Sequence, residues 1–187
     1  MKLTELHNAL QALSSQGVIA YPTESVFGLG CDPDCDIAIK KILSLKQRPA
    51  HKGLILVAAN MQQLTNYADF SVLNETQLAN IKKTWQGPYT WIIPAKRSLS
   101  TLISGDFKSI AVRVSAHPVI QQICTEFGKP IVSTSANLSG ENACTDSTQV
   151  ATMFANHPLL NCIINQPVSG LFSPSQIIDA ITGQRLR

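Results

Sequence analysis

At 187 residues with 44% hydrophobic residues, the chain can bury one full core and is too apolar to be a disordered segment. Its longest apolar runs, such as "GLILVAA" from Gly53, fall short of the roughly 18 residues a membrane span needs, and "MKLTELHNALQALSS" is amphipathic without a cleavage site. The net charge of +3 is modest, and these features together indicate a soluble cytoplasmic protein.

In chain order, Leu6, Ala9, Leu10 and Leu13 recur at helical spacing, and Gly17 stands where a C-terminal cap is expected, so a helix is predicted over about residues 4–16. "GVIAYP" reads as a strand. Ala38, Ile42 and Leu45 mark a second helix ending near Lys46, followed by the strand "GLILVA". Short helices are predicted after Asn60 and Asn74, both suited to N-caps. "TWIIPA" and "SIAVRVS" read as strands, "HPVIQQICTEFG" as a helix closed by Gly128, and "PIVSTS" as another strand. The tail "SQIIDAITGQRLR" reads as a strand, a Thr-Gly turn and a short return strand. Strands alternate with helices over residues 1–187 with no repeat or linker, which predicts a single α/β domain with a twisted, mixed parallel and antiparallel sheet covered by helices.

Five cysteines, an odd number scattered along the chain, do not make a disulfide framework and indicate a reducing compartment. The pair in "CDPDC" has no second Cys or His pair at ligand spacing, so a structural zinc site cannot be assembled locally and no protein metal site is expected. Charge is segregated: Lys40, Lys41, Lys46, Arg48 and Lys52 lie in a stretch free of acidic residues between Asp36 and Asp69. Such a run is either a solvated helix face or the footprint of an anionic partner such as a phosphate chain or RNA.

Four stretches carry the chemistry. In "YPTESVFGLG", Pro22 fixes a turn, Thr23 and Glu24 offer polar groups, and Gly28 and Gly30 permit close backbone approach. Neither the phosphate-loop pattern nor the dinucleotide glycine pattern is present. In "LKQRP", Lys46 and Arg48 stand at a helix end before Pro49, where an extended chain would let both cations converge on one anion. "SIAVRVS" places Arg113 among apolar neighbours, where it needs a carboxylate or phosphate partner. "KPIVSTSANLSG" opens from an apolar strand into Ser133, Thr134, Ser135, Asn137 and Ser139, short groups that donate hydrogen bonds without filling space. A serine-rich turn or a helix N-cap would use the same residues. No histidine is placed as a catalyst: His117 and His157 precede prolines at helix boundaries, and His7 lies on a helix face.

These elements, with "WQGPYTWIIPA", occur in an order that resembles the YrdC-type threonylcarbamoyl-AMP synthases, in their short single-domain bacterial form. The resemblance implies an enzyme that joins L-threonine, bicarbonate and ATP into L-threonylcarbamoyladenylate and pyrophosphate. It supplies the t6A modification at position 37 of tRNAs reading codons that begin with A, and other t6A-synthesis proteins transfer the group to tRNA. The resemblance assigns the ATP phosphates to the pairs Lys46 and Arg48, and Ser135 and Asn137, with the two cations as the catalytic groups. It assigns threonine to Thr23 and Arg113, Arg113 pairing with the carboxylate. Weaker matches place Ser109 and Arg187 toward ATP, and Ser133 and Ser175 toward threonine. Longer family members often carry a histidine near the end of the strand that here reads "GLILVAAN", which has none.

The reaction itself suits these residue types. A carbamate oxygen displaces pyrophosphate from the α-phosphorus, which calls for positioning and charge neutralisation rather than covalent help, with Mg2+ held mainly by the phosphates. The alternative is an RNA-binding module, for tRNA, double-stranded RNA or rRNA maturation, using the basic segments Lys40–Lys52 and Lys82–Arg113. Sparse aromatics, at 6%, and the lack of an RNA-binding signature weigh against it, leaving at most weak tRNA or duplex binding. A hydrogenase-maturation carbamoyltransferase contains a similar domain, but its zinc-binding and acylphosphatase parts are absent here.

Overall fold

The computed structural model describes residues 1–155, 157–170 and 175–186. Among the described residues one sheet holds β1 (Val18–Pro22), β2 (Phe27–Cys31), β3 (Ile55–Ala58), β4 (Tyr89–Pro94), β5 (Ser109–Val114), β6 (Ile131–Ser135), β7 (Leu160–Ile163) and β8 (Gln176–Asp179). The spatial order is β7-β1-β2-β6-β3-β5-β4-β8. The β1–β7, β3–β5 and β4–β8 pairs are parallel, and the other four are antiparallel, which makes the sheet mixed as the sequence predicts.

The helices are α1 (Leu3–Ser14), α2 (Asp36–Leu45), α3 (Glu75–Thr84), α4 (Thr101–Ser104), α5 (Pro118–Phe127) and α6 (Ser147–Met153). Helix α3 starts where Asn74 predicts it, in a reciprocal cap with Gln77. After Asn60 the chain forms only a short 3-10 turn, Gln62–Leu64. Helix α5 begins at Pro118, with His117 Nδ1 accepting from the Val119 N–H, and ends on Gly128 in the left-handed region.

Gly17 is not the left-handed residue after α1. Gln16 takes that role at φ 59°, and the Gly17 N–H reaches back to the Ala12 carbonyl. A Cβ on Gly17 would lie 2.7 Å from that oxygen, so glycine is needed there for closeness rather than for dihedral freedom. The tail forms the expected strand and Thr182-Gly183 turn, and its return is antiparallel but short: β8 pairs in parallel with β4, and among the described residues the return is a single antiparallel bridge, Ile178 with Arg185, rather than a strand.

The sheet is covered unequally. On one face Val18, Leu29, Leu56, Trp91, Val112 and Val132 pack with Ile39, Ile42 and Leu45 of α2 and Ile81 of α3 in the larger core. On the other, Ile19, Tyr21, Val57 and Ile131 pack under Leu6, Ala9 and Leu13 of α1 and Val119, Ile120 and Ile123 of α5. Alternation along each strand puts Gly28, Ile55, Ala111 and Ser133 on this second face too, beyond the ends of the two helices. That uncovered area becomes a cavity.

Candidate functional site

The cavity has a volume of about 640 Å³, and its walls bring together eight of the ten residues singled out in the sequence: Thr23, Arg48, Ser109, Arg113, Ser133, Ser135, Asn137 and Ser175. Lys46 sits behind the wall, and Arg187 lies outside the described residues.

Strand periodicity explains most of the delivery. On β5, Ile110, Val112 and Val114 are buried in the larger core, which turns Ser109, Ala111 and Arg113 toward the cavity side. On β6, Val132 fills that core while Ser133 and Ser135 face the other way. The two strands are bridged by β3, where Ile55 pairs with Ala111 on one side and Ser133 on the other. Ser175, immediately before β8, is buried with its Oγ 2.8 Å from Thr90 Oγ1.

The Pro-Thr-Glu turn between β1 and β2 splits its polar groups. Thr23 donates its hydroxyl to the Val26 carbonyl at 2.7 Å, so its oxygen presents lone pairs to the cavity it lines. Glu24 turns inward and forms an ion pair with Arg113. Glu24 Oε1 accepts from Ser115 Oγ at 2.7 Å, and that hydroxyl accepts from the His117 N–H at 3.0 Å. Burial pushes the Glu24 pKa up, but the Arg113 charge and the Ser115 hydroxyl more than offset it and hold the carboxyl below its ordinary value. His117, also buried, is pushed down chiefly by desolvation, which keeps the imidazole neutral and supports its capping role rather than acid–base duty.

The helix end carrying Lys46 and Arg48 is not extended, contrary to the sequence-based expectation. Helix α2 closes with Gln47 in the left-handed region at φ 50°, the Gln47 N–H on the Ser44 carbonyl and the Arg48 N–H on Leu43. This turn sends the two cations apart. Arg48 lies on the cavity wall, its guanidinium donating to the Gly53 carbonyl through Nε at 3.1 Å and Nη2 at 2.9 Å. Lys46 is only 3% exposed and runs beneath the loop after β6, where Nζ donates to the carbonyls of Ser135 and Asn137, the latter at 2.8 Å, and to Asn137 Oδ1 at 3.0 Å. Burial first, then the charge of Arg48, brings the Lys46 pKa down to about 8.

The loop above Lys46 is knitted from short polar groups. Ser135 Oγ donates to Asn137 Oδ1 at 2.6 Å, and Asn137 Nδ2 donates to the carbonyls of Leu138 and Glu141 at 2.9 and 2.8 Å. The segment is therefore a built cavity wall rather than a helix N-cap, since no helix begins until Ser147.

Gly28 lies on the cavity wall, and both Gly28 and Gly30 also make room for a side chain. They lie inside β2, and the Tyr21 ring crosses them: a Cβ at Gly28 would stand 3.0 Å from Tyr21 Cζ, and one at Gly30 2.8 Å from Cε1. The sequence also gave no individual signal for Lys52, Ser104, Phe107, Glu141 and Asn142, which complete the cavity's rim. Phe107 is 59% exposed there. Lys52 belonged to the basic run, but Ser104 ends the short helix α4 and the other three come from loops, all placed by tertiary contacts.

A mixed sheet with a half-covered face, and an arginine-bearing cavity lined by hydroxyls, defines an α/β protein built to hold a charged small molecule. The chain belongs to the Sua5/YciO/YrdC family, whose description is telomere recombination and which it matches over residues 11–187. It is 64% identical over 187 residues to the threonylcarbamoyl-AMP synthase of Psychromonas ingrahamii, covering 100% of this chain and 98% of that one. It is 53% identical over 179 residues to the Serratia proteamaculans protein of the same name, covering 95% and 93%. Among solved structures, P. abyssi Sua5 complexed with L-threonine superposes with a TM-score of 0.87 at 30% identity. That match covers 96% of this chain and 52% of Sua5, so this chain spans about half the length of that protein. E. coli YciO, at 22% identity and a TM-score of 0.79 over 95% of this chain and 84% of its own, shares the fold.

Proposed function

We propose that the protein is a threonylcarbamoyl-AMP synthase, converting L-threonine, bicarbonate and ATP into L-threonylcarbamoyladenylate and pyrophosphate. One observation carries the reading: a single cavity is lined by two arginines, Arg48 and Arg113, together with the hydroxyls of Thr23, Ser109, Ser133, Ser135 and Ser175 and the amide of Asn137. Along β5, Ser109 and Arg113 are four residues apart, on the order of 13 Å, so this wall is long enough to offer separate places to an amino acid and a nucleotide.

In this arrangement Arg113, its charge balanced on one side by Glu24, takes the threonine carboxylate. The neutral amine then adds to CO2 formed from bicarbonate by uptake of a proton and loss of water, a C–N bond forms, and the amine releases a proton to give a carbamate, so that the two steps together expel one water. A carbamate oxygen attacks the α-phosphorus, a new P–O bond forms, the bond to the β-phosphate bridging oxygen breaks, and pyrophosphate leaves. Arg48 meets the charge that moves onto the leaving group, and Ser135 and Asn137, whose side-chain protons are engaged within the loop after β6 in this structure, exchange those bonds for the phosphates. Lys46 acts from behind, holding that loop in shape and adding positive charge beneath it.

Mg2+ enters with the nucleotide. Glu141 is the one carboxylate on the cavity wall among the described residues, and no group of three or more His, Cys, Asp or Glu side chains there could hold an ion. That donor set fits a metal ligated mainly by phosphates and water. The product's acyl group passes to other t6A-synthesis proteins and then to position 37 of tRNA, in the cytoplasm. Five free cysteines suit that reducing compartment, and no helix among the described residues is long and apolar enough to cross a membrane.

The test is a pyrophosphate-release assay with mass detection of the adenylate. Release is expected only when threonine and bicarbonate are both present with ATP. Equal release without threonine would overturn the reading.

A further inference from the structure

We infer that Tyr21 is a positioning residue for the amino-acid end of the cavity: its buried hydroxyl fixes Ser133 as a hydrogen-bond donor toward a carboxylate or carbamate oxygen of the substrate. The inference rests on the function proposed above and extends it to a side chain that does not reach the cavity.

Tyr21 is fully buried under α1 and α5, and its Oη donates to Ser133 Oγ at 2.7 Å. A serine hydroxyl has one proton and two lone pairs. With a lone pair taken from below by the phenol, the Ser133 proton points away from Tyr21, and the side chain has the cavity on that side. Accepting one hydrogen bond also makes a hydroxyl a better donor of the next. Ser133 is thereby committed to an anionic or carbonyl oxygen, which both the threonine carboxylate and the carbamate offer.

The phenol keeps its proton for this purpose. Burial pushes the Tyr21 pKa well above its ordinary value, and Arg113 and Glu24 act on it with opposite signs. Packing alone does not account for the hydroxyl. Phenylalanine would fill the same space, and a buried hydroxyl is tolerated only with a partner. Here the partner lies two strands away. Tyr21 pairs with Gly28 on β2, and β2 pairs onward with β6, Gly30 opposite Ser133. The ring spans β2 only because Gly28 and Gly30 carry no Cβ. The spacing of Tyr21, Gly28 and Gly30 is therefore one device serving Ser133.

The experiment measures threonine affinity by calorimetry, and threonine KM, ATP KM and kcat by pyrophosphate release, for wild type, Tyr21→Phe, Ser133→Ala and the double variant. Thermal melting checks that each is folded. Tyr21→Phe is expected to raise the threonine Kd and KM about 3- to 10-fold, with kcat and the ATP KM within about twofold of wild type. In the Ser133→Ala background it is expected to add nothing. Equal losses with and without Ser133, or an unchanged threonine KM in Tyr21→Phe, overturn the inference while the wild-type reaction still supports the function. A wild-type protein that neither binds threonine nor depends on it overturns both.

Discussion

Arg113, on the cavity wall of β5, forms an ion pair with Glu24 in the turn between β1 and β2, which lies behind that wall, and the two side chains are only 14% and 10% exposed. Removing either partner leaves a charge in a poorly hydrated place, so the two halves of the pair predict different failures.

Replacing Arg113 with alanine removes the cation proposed to hold the threonine carboxylate. Threonine binding is expected to weaken by roughly 10- to 150-fold, the worth of a charge-assisted hydrogen bond of about 1.5–3 kcal/mol, while ATP affinity stays nearly intact. Calorimetric titration with threonine in the presence of ATP reads this directly, after circular dichroism has shown the variant folded, because a partly buried arginine also packs. An Arg113→Ala protein that binds threonine normally would mean that the carboxylate is held elsewhere.

Replacing Glu24 with glutamine keeps the shape and deletes the charge. Arg113 then lacks its counter-ion, and unfolding in urea is expected to cost roughly 3 kcal/mol less than in wild type at neutral pH. The pH dependence has a definite sign. Because the folded-state pKa of Glu24 is held below its ordinary value, its contribution is complete above the usual glutamate range and is lost as pH falls through the folded-state value. The variant should therefore lose less stability than wild type on acidification below about pH 4.5. Parallel curves for the two proteins would show that the pair contributes nothing.

How much of this was legible in the sequence depends on the range of the interactions involved. The helices α1, α2, α3 and α5 announce themselves through apolar spacing and caps, and β5 and β6 through apolar runs. Strand β2 was read as part of a loop motif, because "FGLGC" contains two glycines that weaken any strand signal. Strand β7 and helices α4 and α6 are short and are set by neighbours rather than by local pattern. Residue types at the site were legible, yet the parting of Lys46 and Arg48 was not. It depends on one residue, Gln47, adopting a left-handed conformation that glutamine rarely takes.

The glycines of β2 separate two explanations for the same motif. If they were needed only for a ligand's approach, alanine at either would impair binding and spare the fold. The Tyr21 contact predicts otherwise. Gly30→Ala would place a Cβ 2.8 Å from Tyr21 Cε1 and 2.9 Å from the Val132 carbonyl, and is expected to cost about 2–3 kcal/mol in urea unfolding. Gly28→Ala meets its nearest atom at 3.0 Å, the tip of the same ring, and is expected to cost about 1 kcal/mol. A Gly30→Ala protein as stable as wild type would remove the packing explanation.

Lys46 links the pH of the medium to the loop after β6, which is proposed to face the phosphates. Its ammonium donates to Ser135, to the Asn137 carbonyl and to Asn137 Oδ1, and these three bonds use all its protons. Its pKa of about 8 lies below the ordinary lysine value through burial and the charge of Arg48. Activity and stability should then move oppositely above that pH. Loss of the proton removes one bond and the charge beneath the loop, so kcat/KM for ATP is expected to fall by up to tenfold per pH unit above about 8. Stability gains over the same interval, because a folded-state pKa below the unfolded one makes the buried charge a cost that is relieved as pH rises from about 8 toward 10.5. Lys46→Arg, which stays charged, should give a lower but flatter profile, whereas Cys144→Ala should retain the alkaline fall. Superimposable profiles for wild type and Lys46→Arg would assign that fall to another group and leave Lys46 a structural tie alone.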